Sequence, residues 1–183
     1  MKKEVIRQFE ERNIPVAKSS ILTLREWAEI IFSNTSPDKI FLNSEDAELI
    51  ISQIIQENAA EVPLFFPNNR ISPKIVRELV KFISTLINRK TEYPECLGNL
   101  QNEKSRQLAL IYQLYLSYLR ENNLIDQDLL LVQVIDSIGK KGIILFEDVF
   151  VYGIYDPLPL EQDFIKKISE HTINFQYALP WSN

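Results

Sequence analysis

Few residues in this chain are equipped for chemistry. Cys96 and His171 are the only members of their types, which rules out an internal disulfide, a multi-cysteine metal site and a histidine pair. No serine or cysteine motif accompanies His171 as an activated nucleophile would. The four glycines, Gly98, Gly139, Gly142 and Gly153, form neither G-x-x-x-x-G-K-[ST] nor G-x-G-x-x-G. The chain therefore supplies no phosphate-cradling loop.

Three groups remain. Asp126 and Asp128 could together offer carboxylates to a metal, but acids one or two residues into a helix are equally what its N-terminus favours, and the capping reading is preferred. Arg70, Lys74, Arg77 and Lys81 are spaced 4, 3 and 4 residues apart, which puts them on one face of a helix starting near Ser72. Such a stripe suits phosphates, and its plain alternative is a solvated face diluted by Glu78. The segment "VFVYGIYDPLPLEQDFIKKI" has the form of a buried strand running into a helix. In nucleotide-driven machines a strand tip of this kind carries the acids that hold Mg²⁺ and orient the attacking water. Here the tip offers Tyr152, Gly153, Ile154, Tyr155 and, last, Asp156, which begins a turn before Pro157. Tyr152 and Tyr155 could stack on bases, although aromatics at a sheet edge more often belong to a core.

These residues need elements to hold them. The 183 residues suffice for one domain with a core, or one carrying an insertion. Apolar residues make up 45% of the chain, spread in short periodic runs, and none approaches the roughly 20 residues of a membrane helix. "MKKEVIRQFEERN" alternates charge with apolar residues and lacks the apolar core of a signal peptide, so a cytoplasmic location is expected. With 20 Lys and Arg against 25 Asp and Glu, any nucleic-acid contact must come from a local patch rather than from net charge.

Along the chain, 2–12 reads as an amphipathic helix with Val5, Ile6 and Phe9 on one side, 16–24 as a strand, and 24–32 as a helix capped by Thr23. From about 35 to 140 the pattern is almost wholly helical. "SEDAELIISQIIQENAA" places Ala47, Ile50, Ile51, Ile54 and Ile55 on one stripe, with Glu45 and Asp46 in the first turn. "SPKIVRELVKFISTLINRK" starts from Ser72 as N-cap and Pro73 at the first helical position. "NEKSRQLALIYQLYLSYLREN" repeats the period through Leu108, Ile111, Tyr115 and Tyr118. "DQDLLLVQVIDSIG" is capped by Asp126 and stopped by Gly139, leaving Lys140 and Lys141 in a loop. The last part returns to strand, helix, strand, the order of a parallel sheet. About three strands is few for a complete sheet, which suggests a piece of a longer protein.

This organisation resembles the N-terminal part of the AddB-type subunit of bacterial helicase–nucleases, relatives of superfamily-one helicases of the UvrD kind. "ILTLREWAEIIF" looks like the family's entry into a helical insertion. "LIYQLYLSYLRENNLIDQDLLL" is similar to its helix followed by an "L-x-D-x-x-D-L" segment, and "VFVYGIYDPLPLEQDFIKKI" resembles its "V-D-G-F-x-D-F-T-P-L-Q-x-x-L-L" stretch. Set against the motor motif "D-E-x-Q-D", the chain has Tyr152 and Gly153 where the two leading acids would stand, and keeps only Asp156. The family's "D-G-F" departs the same way, and this sequence also lacks that Asp. No E-x-K of the family's nuclease site occurs.

The resemblance implies an α/β, mainly helical fold, an incomplete P-loop-helicase-like parallel sheet interrupted by a helical insertion. Residues 1–34 and 141–183 would form a partial RecA-like core and 35–140 the insertion. The implied role is non-catalytic, guiding or scaffolding DNA ends in double-strand break repair, with no cofactor, metal or catalytic residue expected in this chain. DNA contacts are expected at Arg70, Lys74, Arg77 and Lys81, with Tyr152, Gly153 and Asp156 as a degenerate Walker B position. The expected partners are DNA and a helicase–nuclease subunit or the rest of the same polypeptide, with no membrane. The alternative is a protein–protein interaction module docking through its apolar helical faces.

Overall fold

The structure, a computed structural model, describes residues 2–11, 21–35, 38–90, 102–141 and 146–178. The chain is α/β and mainly helical, with two small parallel sheets of two strands each. It divides into two compact units, residues 38–130 and residues 1–37 with 131–183.

The 38–130 unit contains β1 (Ile40–Phe41), α3 (Ser44–Glu57), 3-10 turns at Pro63–Phe65 and Pro67–Asn69, α4 (Pro73–Asn88), α5 (Glu103–Glu121) and β2 (Leu124–Ile125). The start of α3 is fixed locally. Asn43 Oδ1 accepts from the N–H groups of Glu45 and Asp46, and Asp46 Oδ2 accepts from Asn43 N–H at 3.0 Å. This reciprocal box satisfies donors that a helix start leaves without partners. The apolar stripe of α3 is the expected one: Ala47, Ile50, Ile51, Ile54 and Ile55 are all buried. It packs against α4 and α5, which contribute Val76, Leu79 and Ile83, and Ile111, Tyr115 and Leu119. Burying each large aliphatic side chain contributes about 1.5–3 kcal/mol. On α5 the expected stripe shifts: Ile111 and Tyr115 are buried, but Leu108 and Tyr118 are only half-buried, and Gln107, Tyr112 and Leu119 take the inner positions.

A parallel pair within this unit interrupts the helical pattern expected across 35–140. Ile40 pairs with Leu124 and Phe41 with Ile125, through Ile40 N–H to the Asn123 carbonyl at 3.2 Å and Leu42 N–H to the Ile125 carbonyl at 2.8 Å. Asn123 turns the chain into β2 with φ 55°, a conformation asparagine tolerates better than most residues, and its amide donates to the Asp38 carbonyl at 2.8 Å.

The other unit contains α1 (Lys2–Glu11), α2 (Leu24–Thr35), most of α6 (Gln127–Lys141), β3 (Phe146–Tyr152), α7 (Pro159–Glu170) and β4 (Thr172–Ala178). Thr23 Oγ1 accepts from Glu26 N–H at 3.1 Å while Glu26 returns to Thr23 N–H at 2.8 Å, so Thr23 caps α2 as its sequence predicts. Of the strand expected at 16–24, residues 16–20 lie outside the described residues. Residues 21–23 have no regular structure, and Leu24 already belongs to α2. The helix α6 runs through Gly139 to Lys141 instead of stopping. A mid-helix glycine costs only about 1 kcal/mol and ends a helix only where the chain also turns left-handed. The backbone at Lys140 is therefore helical, not loop.

Strand, helix and strand do form a parallel sheet. The strands β3 and β4 pair in register from Phe146 with Thr172 to Tyr152 with Ala178, and Asn174 donates to Asp148 across the pair at 2.8 Å. Residues at i and i+2 share a face. Val151 is buried with Leu160, Phe164 and Ile168 of α7, and Trp27 of α2 meets Phe164 edge-on at 6.0 Å. Asp148, Phe150 and Tyr152 form the opposite, exposed face.

Candidate nucleic-acid interface

The cationic stripe is held by α4 and the turn leading into it. Asn68 and Asn69 take left-handed φ of 55° and 56°, which redirects the chain after the second 3-10 turn. The backbone then extends through Arg70 at φ −134°, ψ 138°. Ser72 occupies the N-cap position without a side-chain bond, and Pro73 opens the helix. Proline is favoured there because its missing N–H would have had no helical partner. Lys74, Arg77 and Lys81 follow at helical spacing on the side away from the buried Val76, Leu79 and Ile83. Arg70 precedes the helix in extended backbone, so the helical period does not align it with the other three.

All four cations are exposed, and they are not equivalent. Lys81 Nζ lies 3.1 Å from Glu78 Oε1, which offsets much of its field. Arg77 Nε makes a long 3.4 Å contact to the Pro73 carbonyl, which biases the guanidinium toward the start of α4. Arg70 and Lys74 form no ion pair among the described residues. The ridge can receive an anionic backbone through its charge.

The strand tip is a second, separate surface on the other unit. Tyr152 ends β3, and its ring stacks on Phe150 two residues earlier, with centroids 6.3 Å apart and planes 16° from parallel. Gly153 is buried with φ 79°, a left-handed turn that a Cβ would oppose. The Tyr177 hydroxyl donates to the Ile154 carbonyl, tying this turn to β4. Beyond it Tyr155 is 68% exposed, and Asp156 is exposed as well. Glu161 accepts from Leu158 N–H at 2.8 Å and so caps α7. The core reading of Tyr152 and Tyr155 therefore fails: one lies on the uncovered sheet face and the other on the outside of the turn. Phe150, which sequence reasoning did not single out, joins them. The usable signal was alternation, since Phe150 and Tyr152 share one strand face.

Asp126 and Asp128 are committed to structure. Asp126 is buried, and its Oδ1 accepts from Asp128 N–H at 3.1 Å and Leu129 N–H at 2.8 Å, capping α6. Its Oδ2 accepts from the Tyr115 hydroxyl at 2.8 Å. Burial pushes the Asp126 carboxyl above its usual range, against the lowering effect of the Leu129 N–H and the Tyr115 hydroxyl. Tyr115 is pushed far up by burial first and then by the Asp126 charge, so it remains a hydroxyl donor. Asp128 accepts from Asn88 Nδ2 at 2.7 Å, joining the end of α4 to the start of α6.

No protein-family model and no curated protein matches the chain.

Among the described residues no group of three or more His, Cys, Asp or Glu side chains could hold a metal ion, and no helix is long and apolar enough to cross a membrane. His171 Nδ1 lies 2.9 Å from the Lys167 carbonyl. A carbonyl only accepts, so this nitrogen carries the proton. The ring thus finishes the C-terminus of α7. Cys96 lies outside the described residues. Gln107 was not legible in advance: buried on α5, it accepts from Leu64 N–H at 3.0 Å and donates to Glu103 at 2.9 Å. It thereby anchors the 3-10 turns that lead toward the cationic stripe.

Proposed function

We propose that this chain is a non-catalytic, helicase-like element of an AddB-type helicase–nuclease subunit that guides or scaffolds DNA ends. The single observation that carries the reading is the set of exposed cations Lys74, Arg77 and Lys81 on one helix, preceded by exposed Arg70, on a chain whose net charge is −5. A local cationic ridge on an acidic protein binds polyanions at one place rather than everywhere. The strand tip supports the same reading from another side. Where a motor needs acids on Mg²⁺, Tyr152 and Gly153 stand, and the surface there is aromatic.

A fluorescent DNA with a single-stranded overhang, titrated at two salt concentrations, tests this. The wild-type chain should bind with a salt-dependent affinity, and Arg70→Gln, Lys74→Gln, Arg77→Gln and Lys81→Gln combined should abolish binding. Equal binding by both proteins, or none by the wild type at low salt, overturns the reading. A second reading, an interaction module, is favoured by the apolar side chains left in solvent, among them Ile40, Leu49 and Leu64 in the 38–130 unit. It predicts association with protein in the absence of DNA.

A further inference from the structure

The sheet of β3 and β4 leaves one face open. Register partners share a face, so Asp148 with Asn174, Phe150 with Gln176, and Tyr152 with Ala178 line one side, while Val151 is buried on the other. On the open side Phe150 is 59% and Tyr152 39% exposed, and their rings lie nearly parallel with centroids 6.3 Å apart. Beside them Asp148 takes the Asn174 amide on Oδ1 at 2.8 Å, and its Oδ2 has no partner among the described residues. Neither strand contains a lysine or an arginine. Among the described residues β3 pairs only with β4, so the main-chain groups along its other edge are open to a further strand.

We infer that this face and edge take an extended, arginine-bearing segment of a partner protein, added to β3 as a strand. The chemistry of the face selects the occupant. Aromatic ring faces are the negative parts of their quadrupoles and attract a cation within about 6 Å. Asp148 adds a full negative charge two positions along the same strand face. A guanidinium meets both, because it is planar enough to lie flat on a ring and carries a fork of donors that fits a carboxylate. An ammonium satisfies only the charge. A strand laid along β3 sets its alternate side chains about 5 Å from Asp148, Phe150 and Tyr152, within easy reach of an arginine. Nucleic acid fits less well, since its phosphates would meet Asp148 with no cation on either strand. A second copy of the sheet brings the same acids and likewise no cation. This goes beyond the DNA reading and uses none of the α4 cations, which lie in the 38–130 unit.

Anisotropy of a labelled peptide alternating arginine with valine, titrated with the whole chain, tests it. The wild type should bind this peptide, bind a version with lysine in place of arginine about threefold more weakly or worse, and not bind a glutamine version. Phe150→Thr with Tyr152→Thr keeps strand-favouring side chains and should weaken binding about tenfold, with an unchanged circular dichroism spectrum. Asp148→Asn still accepts from Asn174 and should weaken binding about fivefold while reducing its salt dependence. Tyr152→Phe should bind like the wild type, because the ring and not the hydroxyl makes the contact. A wild type that ignores the arginine peptide, equal affinity for the arginine and lysine peptides, or undiminished binding by the double threonine or Asp148→Asn variant would each overturn the proposal. If the wild type ignores the peptide and the double threonine variant loses the overhang DNA, the face belongs to unpaired bases instead. Lys74→Gln with Arg77→Gln and Lys81→Gln should not weaken peptide binding, so this proposal and the DNA reading fail separately.

Discussion

The Tyr115 hydroxyl donates to Asp126 Oδ2 at 2.8 Å inside the 38–130 unit, and the other oxygen of the same carboxylate caps α6. One buried acid thus joins the middle of α5 to the start of the next helix. Tyr115→Phe keeps the ring and removes only the donor. It should lower unfolding free energy by about 1–3 kcal/mol, because a buried carboxylate oxygen loses its partner. Urea unfolding at neutral pH measures this, and an unchanged midpoint would mean that water reaches Asp126.

The same carboxyl makes stability depend on pH. Burial raises its folded-state value above the ordinary 3.8, so between those two values the folded chain binds the proton and the unfolded chain does not. The stabilisation from this group is complete below about 3.8 and is lost as pH rises through the raised folded-state value. Asp126→Asn should flatten the slope of unfolding free energy in that window. Tyr115→Phe should shift the window further upward, since the hydroxyl bond favours the ionised form.

Glu78 restrains the cationic ridge by pairing with Lys81 at 3.1 Å. Glu78→Gln should tighten DNA binding at low salt and steepen its salt dependence, since one more cation becomes available to phosphate. Stability should hardly change, because both side chains are exposed. Fluorescence anisotropy at several salt concentrations reads this directly, and weaker binding would place the DNA elsewhere.

Gly153 turns the chain out of β3 with φ 79° in a buried position. Gly153→Ala should cost about 1–2 kcal/mol for the left-handed backbone alone, with a further cost for fitting the methyl group. Thermal unfolding should show the loss, while a variant with wild-type stability would mean the turn can adopt another path.

What the sequence determined by itself is whatever depends on near neighbours. Thr23 with Glu26, Pro73 at the start of α4, Asp126 at the start of α6 and the stripe from Ala47 to Ile55 are all local, because caps and helical faces are settled within one or two turns. The parallel pairing of β3 and β4 was legible for a related reason, a strand, a twelve-residue helix and a strand in close succession. Lys74, Arg77 and Lys81 and the strand tip were likewise visible as residue types and spacings, whereas Arg70 precedes the helix and its spacing carried no such information.

Only the tertiary structure decided the rest. Ile40 pairs with Leu124 and Gln107 bonds Leu64, contacts between residues far apart in sequence that leave no periodic trace. The exposure of Tyr152 depends on which face of a two-stranded sheet is covered, with Val151 buried on the other face, and Tyr155 stands out from the turn beyond the strand. The inner stripe of α5 shifted to Gln107 and Leu119 because the neighbours of a long helix choose its buried face, and several faces of α5 carry apolar residues. Physically, backbone propensity and capping act over a few residues, whereas burial is a property of what packs on top. The sequence determines the first, and only the assembled unit determines the second.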